Sequence, residues 1–169
     1  MTHKYCLDTS GLSNPFMDMP EDIHKTLWPS VISKIEAYLF CWNVEIANEM
    51  RSIEGSVGAA LNDCNDSCCF EIGKGNWNWY AYVATNNRWR VQFRQYISEY
   101  NGNRKNTIGL NDLSIVALAD TLGLPVVSME SPNLGQPSKT KLRIPDLCKA
   151  VQVEHYNFNQ LCRKEGISG

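Results

Sequence analysis

Residues 112–130 constrain the fold more than any other stretch. From Asp112 to Leu122 the apolar residues Ile115, Val116, Leu118, Ala119 and Leu122 recur at helical spacing. Gly123 follows, where a left-handed C-cap ends a helix. Residues 125–129 then read as a short buried strand with Glu130 at its end. A helix feeding directly into a buried strand is one half of a repeating α/β unit, and the neighbouring chain repeats the pattern. Residues 4–8 read as a strand ending at Asp8. Pro145 opens a helix running to about Ala150, residues 152–156 read as a strand, and residues 157–164 as a last helix before Gly166. Strands alternating with helices predict an α/β fold with a mostly parallel central sheet. In such sheets ligands gather beyond the carboxyl ends of the strands, where Asp8 and Glu130 are expected.

The rest of the chain reads as helix and loop. Gly11, Asn14 and Pro15 stop the first strand. Ile32, Ile35 and Leu39 predict a helix over residues 29–40, with Pro29 in its first turn. Ile46, Met50 and Ile53 predict another over 44–53, with Glu45 and Glu49 on one face. Residues 54–76 suggest a short helix between loops. Residues 77–100 suggest a long helix, open to a break at Asn86–Asn87, and 101–106 a polar loop.

The 169 residues suit a single domain spanning 1–169, and 43% hydrophobic content is enough for a core. No apolar run approaches the roughly 18–20 residues of a membrane span. Sixteen basic against eighteen acidic residues give a net charge of −2, which argues against gripping long duplex DNA by bulk charge. The N-terminus has no secretory pattern, and the odd count of seven cysteines suits reduced thiols, so a cytoplasmic setting is expected. Cys64, Cys68 and Cys69 cluster without a second pair or a nearby histidine, so structural zinc is not expected. His3, His24 and His155 show no metal or triad spacing and read as surface histidines.

Four acids carry the candidate chemistry. Asp8 ends the first strand in Asp-Thr-Ser, Glu49 lies on a helix before Met50, Asp112 heads a helix, and Glu130 follows the Val-Val-Ser strand. Each alone has an ordinary reading as a turn acid, a solvated helix acid, a cap or a loop acid. A haloacid-dehalogenase-type phosphotransferase is excluded because its second Asp is replaced by Ser10. A Rossmann site is unsupported because no glycine-rich turn follows the first strand.

In this order the motifs resemble the PIN-domain family of metal-dependent nucleases. That family opens with a strand and D-T-N or D-T-S. It places a Glu on an early helix and a third acid heading a helix that leads through Gly into a V-V-T-like strand, with a fourth acid just after. The tail, with Ile144-Pro145-Asp146-Leu147-Cys148, resembles one prokaryotic PIN-like group. The likeness covers about residues 4–60 and 107–167 and not the stretch 61–106. It implies a three-layer α/β/α fold and a site of Asp8, Glu49, Asp112 and Glu130. Glu45 is the alternative second acid, and the family's fourth acid is often Asp.

Clustered carboxylates repel one another and need a compensating cation, and all-oxygen donors suit Mg²⁺ or Mn²⁺. In the implied mechanism these ions activate a water for phosphodiester cleavage, and Ser10 positions Asp8 or a metal-bound water. The resemblance further implies an RNA substrate, a toxin held by a small antitoxin protein, and a homodimer. Lys139 and Lys141 follow Glu130 and are candidate substrate-binding residues. Arg88, Arg90 and Arg94 interleave with Trp89 and Phe93, and Arg104, Lys105 and Arg143 complete the basic groups. The alternative function is a non-catalytic PIN-like scaffold binding RNA or a protein. A nuclease of DNA flaps ranks lower, because the short chain lacks an extra helical clamp.

Overall fold

The structure, a computed structural model, describes residues 3–64, 68–69 (backbone only), 78–132 and 142–169. Five short strands form one sheet: β1 (Tyr5–Leu7), β2 (Phe40–Asn43), β3 (Cys68–Cys69), β4 (Val126–Val127) and β5 (His155–Tyr156). Their order is β3-β2-β1-β4-β5 and every pairing is parallel. Eight α-helices among the described residues complete a three-layer α/β/α arrangement: α1 (Ser10–Asp18), α2 (Leu27–Glu36), α3 (Val44–Met50), α4 (Gly55–Asp63), α5 (Trp79–Gln92), α6 (Leu110–Leu122), α7 (Ile144–Val151) and α8 (Phe158–Glu165). None of the described helices is long and apolar enough to cross a membrane.

β1 is central because all its residues are apolar and buried, as a strand covered on both faces must be. Its register sets Cys6 beside Cys41 on one side and beside Val126 on the other. The Cys6 and Cys41 sulfurs meet at 3.6 Å.

Helix α6 packs on β1, β2 and β4 with α5 and α7 beside it. Residues 113–119 are buried without interruption, including Ser114 and Ala117. The sequence suggests an apolar face, whereas a helix enclosed by sheet and helices is buried all round. Gly123 ends it at φ 68°, the expected left-handed cap.

The first strand stops at Leu7, as expected, and residues 10–18 form a helix despite Pro15. The burial of Leu12 and Pro15 and the edge contact of Phe16 with Trp28, centroids 4.9 Å apart, offset the lost backbone bond. The helix expected through Phe40 ends at Glu36, and Phe40–Asn43 is strand β2. A four-residue strand with three apolar residues in a row cannot be told from a helix turn by periodicity. Helix α5 runs unbroken through Asn86–Asn87 and stops at Phe93, giving way to two short 3₁₀ turns over Arg94–Tyr96 and Ser98–Tyr100. Trp77, and much of the expected loop around it, lies outside the described residues.

Candidate active site

The site stands at the carboxyl end of β1. Asp8 is the next residue and its amide bonds to Val127 O at 3.0 Å, fastening it to β4. The side chain is only 4% exposed. Ser10 Oγ donates to Asp8 Oδ2 at 2.5 Å and accepts from the Met129 amide at 3.1 Å. One hydroxyl therefore locks the Asp-Thr-Ser turn to the segment that carries Glu130. Burial pushes the Asp8 carboxyl up to about 6. The Ser10 bond pulls it down, and the charges of Glu130 and Glu49 raise it again.

Glu49 is held by two donors on two other segments. Thr9 Oγ1 gives to Oε2 at 2.7 Å and Asn111 Nδ2 to Oε1 at 2.8 Å. Glu45, one turn earlier on α3, is exposed, and its charge acts on Tyr82 instead. Of the two, Glu49 is the acid whose charge reaches Asp8 and Asp112. Helix α3 starts where it does because Asn43, ending β2, caps it through Oδ1 on the Ile46 amide at 3.1 Å. The same Asn43 gives Nδ2 to Ser114 Oγ at 2.8 Å and to the Tyr82 hydroxyl at 3.1 Å. This buried link sets α3 against α5 and α6.

Asp112 sits in the first turn of α6. Burial is the main cause that pushes its carboxyl up to about 8. The charges of Asp8, Glu130 and Glu49 push further, and the Gly109 amide opposes them. Glu99, from the loop before, caps the same helix with both oxygens on the Leu110 amide, at 3.2 and 3.0 Å. Glu130 also caps: its Oε2 accepts from the Ile144 amide at 2.8 Å, at the start of α7. The Ile-Pro-Asp tail thus meets the site through Glu130, while the Asp146 carboxylate accepts from the Arg143 amide at 2.9 Å.

The charges of Glu49 and Glu130 therefore reach both Asp8 and Asp112, the four acids coming from four separate segments. Among the described residues, no three His, Cys, Asp or Glu side chains are drawn together closely enough to hold an ion as they stand. The donor chemistry still fits a hard dication. It is carboxylate only, and two of its members are driven toward their protonated forms by burial and each other's charge.

Lys139 and Lys141 lie outside the described residues. In the basic–aromatic stretch, Trp89 and Phe93 are buried while Arg88 and Arg94 face solvent. The histidines are not the surface groups expected. His3 Nδ1 meets Tyr38 O at 2.8 Å, His24 is half-buried, and His155 Nε2 meets the buried Ser128 Oγ at 2.6 Å. Thr9, Asn111, Asn43 and Glu99 were not anticipated. The Asn-Asp pair heading α6 and the Thr inside Asp-Thr-Ser were the available signals.

Residues 5–168 match the family described as Domain of unknown function (DUF4411), and the chain belongs to that family. No curated protein matches it.

Proposed function

We propose that this chain is a Mg²⁺- or Mn²⁺-dependent endoribonuclease of the PIN-domain type. The observation that carries the reading is the electrostatic convergence of Asp8, Glu49, Asp112 and Glu130 at the carboxyl end of a parallel sheet, the place where such folds hold their ligands. The motif order along the chain supports it. Asp8, Glu49, Asp112 and Glu130 are the residues that would hold the ion. A hard dication bound there supplies charge neutralisation, water activation and stabilisation of the leaving oxygen in phosphodiester hydrolysis.

The chain's own groups do the positioning. Ser10 fixes the rotamer of Asp8 and joins it to the Met129 backbone. Thr9 and Asn111 hold both Glu49 oxygens, so that acid enters the site from α3 in one orientation. Glu130 is steadied by one oxygen, which accepts from the Ile144 amide. With the acids uncompensated, burial and the charges of Asp8, Glu130 and Glu49 push the Asp112 carboxyl up to about 8, and a dication held there would favour its ionised form.

The resemblance supports a narrower role: the toxin of a cytoplasmic toxin–antitoxin pair, inhibited by a small antitoxin protein and assembled as a homodimer. The test is cleavage of end-labelled tRNA and single-stranded RNA with Mg²⁺, Mn²⁺ or EDTA, beside Asp8→Asn and Asp112→Asn proteins. Discrete cuts that need metal and vanish in both variants are expected. Equal cutting by the variants would assign the activity to a contaminant. A folded protein that binds RNA yet never cuts it would favour the non-catalytic scaffold.

A further inference from the structure

We infer that the loop 97–107, together with Arg94, is a rail that carries a single strand of RNA past the acids. This rests on the ribonuclease reading and names its substrate contacts. The loop is built rigidly. Ser98 N bonds to Ile108 O at 2.8 Å, Ile108 N to Tyr96 O at 2.8 Å, and Asn103 N to Ser98 O at 2.9 Å. Asn101 Nδ2 ties down the carbonyls of Arg94 and Ile97 at 2.8 and 2.7 Å, and Asn101 Oδ1 receives the Arg104 guanidinium at 3.0 Å. Arg94 lies over the Tyr100 ring, 5.0 Å from its centroid, and that ring is 40% exposed.

The rail carries Arg94, Arg104 and Lys105, all exposed. Among the described residues the only ion pair joins Lys4 and Glu165, so none of these three cations is paired with a described carboxylate. Glu99, the acid on the loop, turns its oxygens to the Leu110 amide. The loop thus carries three exposed cations against one acid. Phosphates satisfy the cations, and a base stacks on the flat Arg94–Tyr100 pair.

The rail is also fastened to the site at two points. Glu99 joins it to the start of α6, two residues before Asp112. Leu142 N bonds to Asn106 O at 2.9 Å, and two residues on, Ile144 N holds Glu130. Chain reach therefore keeps Asn106 within about 13 Å of the Glu130 carboxylate. A strand lying on the rail therefore runs close to the segments that carry Asp112 and Glu130, and the cations offset the repulsion its phosphates meet there.

The test is fluorescence anisotropy with a labelled, unstructured RNA of about 12 nucleotides, in EDTA over a range of salt. The double variant Arg104→Glu/Lys105→Glu is expected to bind at least tenfold more weakly. Its salt slope should be shallower by about 1.4, for two lost phosphate contacts on a single strand. Tyr100→Ala is expected to bind about fivefold more weakly or worse with the slope kept. Lys34→Glu/Lys149→Glu, in the last turns of α2 and α7, should bind as wild type. Melting curves check that all are folded. Wild-type affinity in the loop double variant overturns the rail even if the protein cuts RNA, as does a folded wild type that binds no RNA at low salt. Binding through the loop without cleavage supports the rail and overturns the ribonuclease reading instead.

Discussion

Asn111 Nδ2 donates a 2.8 Å hydrogen bond to Glu49 Oε1, joining side chains 62 residues apart in sequence. The residue next to Asp112 therefore sets the orientation of an acid on another helix. Asn111→Ala releases that oxygen without touching any of the four acids. It is expected to lower Mn²⁺ affinity and RNA cleavage by about 10–100-fold with little change in Tm. Unchanged metal affinity would remove Asn111 from the account.

Asp112→Asn tests the electrostatics. The carboxyls of Asp8 and Asp112 stand at about 6 and about 8, both raised from 3.8. A folded state that holds protons more tightly than the unfolded chain is favoured below pH 4. That advantage is lost as pH rises through 6 and then 8. The metal-free protein should therefore melt at lower temperature at pH 8.5 than at pH 5. Asp112→Asn should flatten the profile and stabilise the metal-free protein at pH 8.5 by on the order of a few kcal/mol. A wild-type Tm that climbs over this range would contradict the assignment.

Ser10→Ala removes one hydroxyl that serves both Asp8 and the Met129 amide. Losing these bonds in a buried setting should cost about 1–3 kcal/mol. Asp8 loses the bond that holds its pKa down, so the pH at which metal binding half-saturates should move upward. Urea titration and Mn²⁺ titration against pH measure the two effects.

Gly11→Ala probes the close approach of α1 to the sheet. A Cβ there would lie 2.8 Å from Val127 O and 3.0 Å from Leu7 Cδ1. Because the nearest atom is backbone, α1 or β4 must shift, at a cost of about 1–3 kcal/mol. Thermal melting should show the loss, and cleavage should fall with it as the Asp-Thr-Ser turn moves.

The legible parts of the sequence were those where local pattern and tertiary role agree. Residues 110–130 are such a case, because the α6 repeat, the Gly123 cap and the β4 run all favour the same structure. β2 was hidden because Phe40–Asn43 is too short to show a period, and Tyr38, at φ 59°, turns the chain without a glycine or proline to mark it. Helix α1 was hidden by Pro15, whose penalty is offset by packing that no local window contains. The four acids could be named from motif order, and the Glu49–Met50 ending singled out the helix acid whose charge reaches Asp8 and Asp112. Their holders could not, because Thr9, Asn111, Asn43 and Glu99 act across chain separations that only folding closes.

The most direct test of the central claim is calorimetric titration of the metal-free protein with Mn²⁺ at pH 7, in two buffers of different ionisation enthalpy. Binding with proton release is expected in wild type and in Glu45→Gln, and loss of most of the binding in Asp8→Asn and Asp112→Asn. A folded wild-type protein that takes up no Mn²⁺ at millimolar concentration, or binds it equally well with Asp8 and Asp112 both replaced, would contradict it.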